Sequence, residues 1–158
     1  MPSVRSYLIA FGVVFFIGLV AAAGSVKAPE VYARLILPEW APSSSLFGPV
    51  WIILYISIAL SLGRFLSGTR WKDYPLIVRT FLFQLVLNAS WSWLFFSEEN
   101  ILLATINILS LVVFLLVLLG LLWRAGYILS SLLIFPYFCW VSFAAILTIS
   151  IWRLNPAL

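Results

Sequence analysis

The chain has 158 residues, of which 65% are hydrophobic and only 9% charged, with nine basic and five acidic side chains and a formal net charge of +4. Soluble domains carry about 25% charged residues, so a water-exposed globular surface is excluded and an integral, multi-pass membrane protein is expected. With no histidine and a single cysteine, Cys139, the commonest general base and metal ligand, an axial haem histidine, an intrachain disulfide and a cysteine cluster are excluded as well.

Five apolar stretches, 4–26, 46–66, 74–96, 101–123 and 127–152, approach or exceed the roughly 20 residues that cross a hydrocarbon core. Backbone groups in lipid must bond within their own segment, so each stretch is predicted to be a helix. The expected fold is therefore an all-α integral membrane bundle of five transmembrane helices, a single domain over 1–158. In the first stretch, Arg5, an apolar run and Ala21-Ala22-Ala23 mimic a signal peptide. The run is long for one and is read as a span. Gly18 and Ala22 form a small-residue pair suited to helix packing, within the bundle or in a homodimer.

The first connection, 27–45, is the longest, and Pro29, Pro38 and Pro42 stiffen it and limit helix to short pieces. Leu35, Ile36, Leu37 and Trp40 are too apolar for a solvated loop. A lid over the bundle mouth is expected, the alternative being a segment resting on lipid headgroups. In the second stretch, Phe47, Trp51 and Tyr55 share a face. In the third, Gln84, Asn88 and Trp91 lie at i, i+4 and i+7. Polar groups inside a span face the bundle interior, and both hydrogen-bond glue and a pocket wall remain open for them. In the fourth, Asn107 and Ser110 read as glue. Glu98 and Glu99, in the turn between these stretches, read as solvated.

In the fifth stretch, Pro136 is expected to kink the helix or free a carbonyl. Trp140, Phe143 and Ala144 follow, with Ala144 leaving room one turn below Trp140. Trp93, Trp123 and Trp152 sit near span ends, where interface anchors belong. Trp51 and Trp140 lie within spans. Aromatic walls with few polar groups are the pattern of a pocket for a flat apolar ligand. No Ser/His/Asp set, carboxylate pair within a span, phosphate loop or metal-ligand spacing is found, and the lack of an acid inside a span disfavours a proton-coupled carrier. Arg5, Arg64, Arg70, Lys72, Arg79 and Arg124 fall on one side, against Lys27, Arg34 and Arg153 on the other. This bias places the N-terminus in the cytoplasm and the C-terminus on the opposite side. No basic stripe with interleaved aromatics points to nucleic acid.

Three blocks resemble the TspO/MBR family of tryptophan-rich sensory and translocator proteins. They are Leu37-Pro38-Glu39-Trp40-Ala41-Pro42 with Phe47-Gly48-Pro49-Val50-Trp51; Phe83-Gln84-Leu85-Val86-Leu87-Asn88 with Trp91; and Pro136-Tyr137-Phe138-Cys139-Trp140 with Ser142-Phe143-Ala144 and Trp152-Arg153-Leu154-Asn155. The resemblance covers essentially the whole chain. It implies a five-helix bundle, often dimeric, with a pocket beneath the first loop for porphyrins such as protoporphyrin IX and for isoquinoline-carboxamide-like ligands, and no required cofactor. The matching pocket positions are Tyr32, Pro42, Trp51, Asn88, Trp91, Trp140, Phe143 and Ala144, with Trp40 beside them. Trp51 and Trp140 match the tryptophans tied to light-dependent porphyrin breakdown in some bacterial members, and are the catalytic candidates if such chemistry occurs. A role as sensor, scavenger or transporter is implied, with a small lipid or metabolite transporter as a further alternative. The chain departs from the family at Val31-Tyr32, where Trp-Tyr is usual, at Pro42-Ser43, where two prolines are usual, and at Ile149, in place of a tyrosine of the sterol-recognition motif. Sterol binding is left open.

Overall fold

The computed structural model describes residues 3–68 and 70–156. Among them are six α-helices and no strand: α1 Val4–Gly24, α2 Ala28–Arg34, α3 Phe47–Ser67, α4 Pro75–Ser92, α5 Ile101–Arg124 and α6 Ile128–Leu154. At about 1.5 Å per residue, the 21 residues of α1 span about 30 Å, the thickness of a hydrocarbon core. Four segments are long and apolar enough to cross a membrane: α1, α3 with the turn before it, α5 and α6. The fifth expected span, 74–96, corresponds to α4, which falls short of that measure. Its α-helical part is only 18 residues and includes Arg79, Gln84 and Asn88, whose polarity lowers its hydropathy. A five-residue π-helical turn, Trp93–Ser97, then extends it.

The connection expected to be loop over 27–45 contains α2, with a short 3-10 turn, Ser44–Leu46, just before α3. Pro29 does not break α2 because it stands in the first turn, where backbone N–H groups have no partner within the helix. Val31, Tyr32 and Leu35 are buried and form a second apolar cluster with Phe95, Ile101, Leu147 and Ile151. Ile36 stays exposed, so the apolar run of this segment is only partly covered.

The main core joins α1, α3, α4, α5 and α6. Ser57 and Ser61 of α3 donate to the carbonyl oxygens of Leu133 and Ser130 in α6, in the turn before Pro136. Helix α6 continues through Pro136 without a break. Ser131 ties α6 to the Leu119 carbonyl of α5 at 3.2 Å. Trp93, partly exposed near its span end, also ties two helices, donating from Nε1 to the Val20 carbonyl of α1 at 3.0 Å. One expectation for α5 is corrected. Asn107 and Ser110 are not interhelical glue: Ser110 bonds back to Ile106 of its own helix, and Asn107 Oδ1 has no protein partner.

Antiparallel packing sorts the charges. Arg5, Arg64, Arg70, Lys72, Arg79 and Arg124 share one end with Asp73, while Lys27, Arg34 and Arg153 share the other with Glu30, Glu39, Glu98 and Glu99. Between the ends the long helices present exposed apolar side chains, among them Leu8, Phe15, Ile53, Val86, Leu116 and Ile146. Such a surface is the one a bilayer covers.

Candidate ligand cavity

A cavity of about 770 Å³ opens between α1 and α3 and runs beneath α2. Helix periodicity builds its walls. Gly48, Trp51, Ile52, Tyr55, Ile56 and Ala59 form one stripe of α3, facing a stripe of α1 that includes Val14, Gly18, Ala21 and Ala22. Trp91, Phe95 and Phe96 close it from α4 and the π turn, and Ala144, Leu147 and Ile151 from α6. Tyr32 hangs from α2 as part of the roof, its ring edge-on to Phe47 at 5.6 Å.

Behind Phe47 and Trp51 lies a smaller void of about 20 Å³, bounded also by Asn88, Trp91, Trp140 and Ala144. This is room for a single water. The Tyr55 hydroxyl donates to Asn88 Oδ1 at 2.7 Å, closing the polar floor between the two spaces. Among the described residues, the indole N–H groups of Trp91 and Trp140 and both amide atoms of Gln84 are buried without a protein partner. Gln84 lines neither space, whereas both indoles border the inner void, where a single water would accept from them.

Of the positions singled out from sequence, Tyr32, Trp51, Trp91 and Ala144 line the large cavity. Asn88 and Trp140 reach only the inner void. Among the described residues, Trp40, Pro42 and Phe143 line neither space; they build the roof. Phe143 packs between Trp40, at 5.9 Å, and Trp140, at 5.4 Å, and the Pro42 carbonyl accepts from the Tyr32 hydroxyl at 2.9 Å. Burial pushes the Tyr32 phenol above its ordinary pKa, which keeps it a donor. The Asn155 side chain accepts from the Ile36 N–H and donates to the Ile36 carbonyl, both at 3.0 Å. Arg34 pairs with Glu99 at 2.9 Å on the surface, with both side chains partly exposed, and links α2 to the turn after α4. Phe47, placed on the Trp51 face from sequence but not among the pocket positions, separates the two spaces, and the α1 wall was missed. Gly18 packs closely against α3, as its small size suggests, an added Cβ lying 3.5 Å from the Tyr55 ring, and both Gly18 and Ala22 also border the cavity. The small residues of α3 on the facing stripe, Gly48 and Ala59, were the available signal.

The sequence pattern of the TspO/MBR family matches residues 8–153. The chain belongs to the TspO/MBR family. It is 40% identical over 143 residues to the tryptophan-rich protein TspO of Chlorobaculum tepidum, covering 87% of this chain and 89% of that protein. It is 30% identical to the protein CrtK of Rhodobacter capsulatus, over 85% of each chain. It is 31% identical to the human translocator protein, over 78% of this chain and 74% of that one. Membership in TspO/MBR, together with four apolar helices long enough to span, makes this an integral membrane protein.

Proposed function

We propose that this TspO/MBR member binds a tetrapyrrole, a free-base porphyrin of the protoporphyrin type, in the cavity between α1, α3 and α6. The observation that carries the reading is an aromatic, nearly apolar cavity of about 770 Å³ with Trp51, Tyr55 and Trp91 in its wall, within the roughly 300–1,000 Å³ usual for small-molecule sites. A planar ring stacks on such walls. The chain has no histidine to ligate a metal from within, so stacking on the Trp51, Tyr55 and Trp91 rings would hold the ligand.

Helix α4 is taken as a fifth span. Its Gln84 and Asn88 are buried and never meet lipid, and Arg79, one turn into the helix, can extend its head group toward the interface. The six basic residues at one end would then lie in the cytoplasm with the N-terminus. Helix α2 and the chain to Ser45 act as the lid. A homodimer would need a face other than Gly18 and Ala22, which line the cavity. Binding is favoured over photochemical degradation because only Trp51 of the Trp51–Trp140 pair borders the large cavity.

Protoporphyrin titrated into the purified protein should quench tryptophan fluorescence saturably. Trp51→Phe and Trp91→Phe should weaken the affinity more than Trp140→Phe. Linear quenching equal to that of tryptophan amide in the same micelles would reject the reading. Illumination with product analysis, compared with empty micelles, tests degradation.

A further inference from the structure

We propose that the α1–α3 groove is a lipid site: one acyl chain of a neighbouring phospholipid enters it sideways from the bilayer and is its resting occupant. Resting on the tetrapyrrole reading above, the porphyrin then binds by displacing that chain.

The cavity is open on its side, at the height of the apolar spans. Phe15 and Leu19 of α1 and Ile52 and Ile56 of α3 stand at its edges and are exposed. The path continues inward to Val14, Ala21, Ala59 and Ala144, which are buried. A groove opening into hydrocarbon is not filled by water, because water is scarce there. Left empty, its walls would lose dispersion contacts. An acyl chain is as apolar as leucine and fills the space without desolvating any charge.

The shape fits a chain. The α1 wall runs from Phe11 to Ser25, about 21 Å at 1.5 Å per residue, or two-thirds of a hydrocarbon core of about 30 Å. Polarity is graded along it. Ser25, Ser44 and Ser45 line one end, and exposed Lys27 lies two residues beyond Ser25. Phe11, Ile56 and Ala59 line the far end. Of the polar side chains on the inner wall, Tyr55 is already bonded to Asn88, and Ser92 and Thr148 are buried. A phospholipid seated with its headgroup at the serines would bring its phosphate toward Lys27. Edge residue Gly48 has no atom within 4 Å of an added Cβ, so larger side chains there grow into the groove rather than into packed neighbours.

The test is native mass spectrometry of the protein released from nanodiscs of a single phosphatidylcholine. The wild type should retain one lipid per chain. Gly48→Leu from the α3 side and Ala22→Phe from the α1 side should each lower that retention at least fivefold. Gly120→Leu, at an open position of α5, should not. Retention equal in all four proteins, or none in the wild type, overturns the site. If one groove variant fails to fold, the other carries the comparison. Added protoporphyrin should remove the retained lipid in proportion to tryptophan quenching. Quenching with the lipid still bound overturns the displacement. Absence of any quenching, with the lipid pattern as expected, defeats the tetrapyrrole reading and the displacement while the lipid site stands.

Discussion

Replacing Asn155 by leucine removes the clamp between the end of α6 and the lid. The side chain caps α6 by donating to the Ile151 carbonyl at 2.8 Å and holds Ile36 through two bonds of 3.0 Å. A net hydrogen bond contributes about 0.5–1.5 kcal/mol. Ile36 is 61% exposed, so water replaces part of what is lost, and the two lid bonds together are worth about 1–2 kcal/mol. At 1.4 kcal/mol per tenfold, the open lid should become about 5–30-fold more populated. The remaining ties to the bundle are the Arg34–Glu99 pair, with side chains 64% and 33% exposed, and the buried Val31, Tyr32 and Leu35. These hold α2 in register, so the effect is local. Hydrogen exchange followed by mass spectrometry should show faster exchange in segment 31–41, with Leu111 and Leu115 of α5 unchanged. Unchanged exchange in 31–41, or equal acceleration throughout the bundle, would refute the assignment of Asn155 as a latch.

Gly24→Ala would bring a Cβ to 2.9 Å from the Trp93 backbone nitrogen and 2.7 Å from its ring, and should lower stability by about 1–3 kcal/mol through overpacking. Gly120→Ala, with open space around it, should be neutral or slightly stabilising, and thermal unfolding in detergent checks both. Tyr55→Phe strands Asn88 Oδ1 in a buried site and should cost about 1–3 kcal/mol; adding Asn88→Leu should recover part of it. The Tyr32 phenol is raised by burial, so its share of stability is complete below the ordinary tyrosine pKa near 10 and is lost as pH rises through the higher folded value. The ultraviolet titration difference between wild type and Tyr32→Phe should therefore have its midpoint above 10, and a midpoint at or below 10 would contradict the burial. Glu99→Gln removes only a partly exposed pair and should change stability by less than about 1 kcal/mol.

Apolar run length located the long helices because a bilayer demands continuous hydrophobicity, and α5 and α6 match their predicted ranges to within two residues at either end. Helix α2 was obscured by Pro29, which in a first turn starts a helix rather than ending one. The π turn had no signal: Trp93–Ser97 is as apolar as any span end, and its ties, from Trp93 and Ser97 to α1, are contacts between helices. Within the site, spacing identified Trp51, Asn88 and Trp91 as inward-facing. It did not separate the large cavity from the inner void, because that boundary is drawn by the Phe47 and Trp51 rings and the Tyr55–Asn88 bond, which are contacts between helices. Nor can composition distinguish glycines that admit a neighbouring helix from glycines that hold a space open.

Helix α1 is fastened at its two ends. Near its start the Ser6 hydroxyl donates to the Leu66 carbonyl at 3.2 Å. At its finish the Val20 and Gly24 carbonyls accept from Trp93 and Ser97, both at 3.0 Å. The stretch between, from Phe11 to Leu19, borders the cavity on one side and lipid on the other. A beam clamped at both ends flexes most at its middle, and long helices tolerate gentle curvature. Bowing α1 outward would widen the groove with every terminal tie intact, but it would draw Val14 from the main core and Gly18 from the Tyr55 ring. A thicker guest therefore costs packing at the middle of α1, whereas a longer one meets the clamps at its ends.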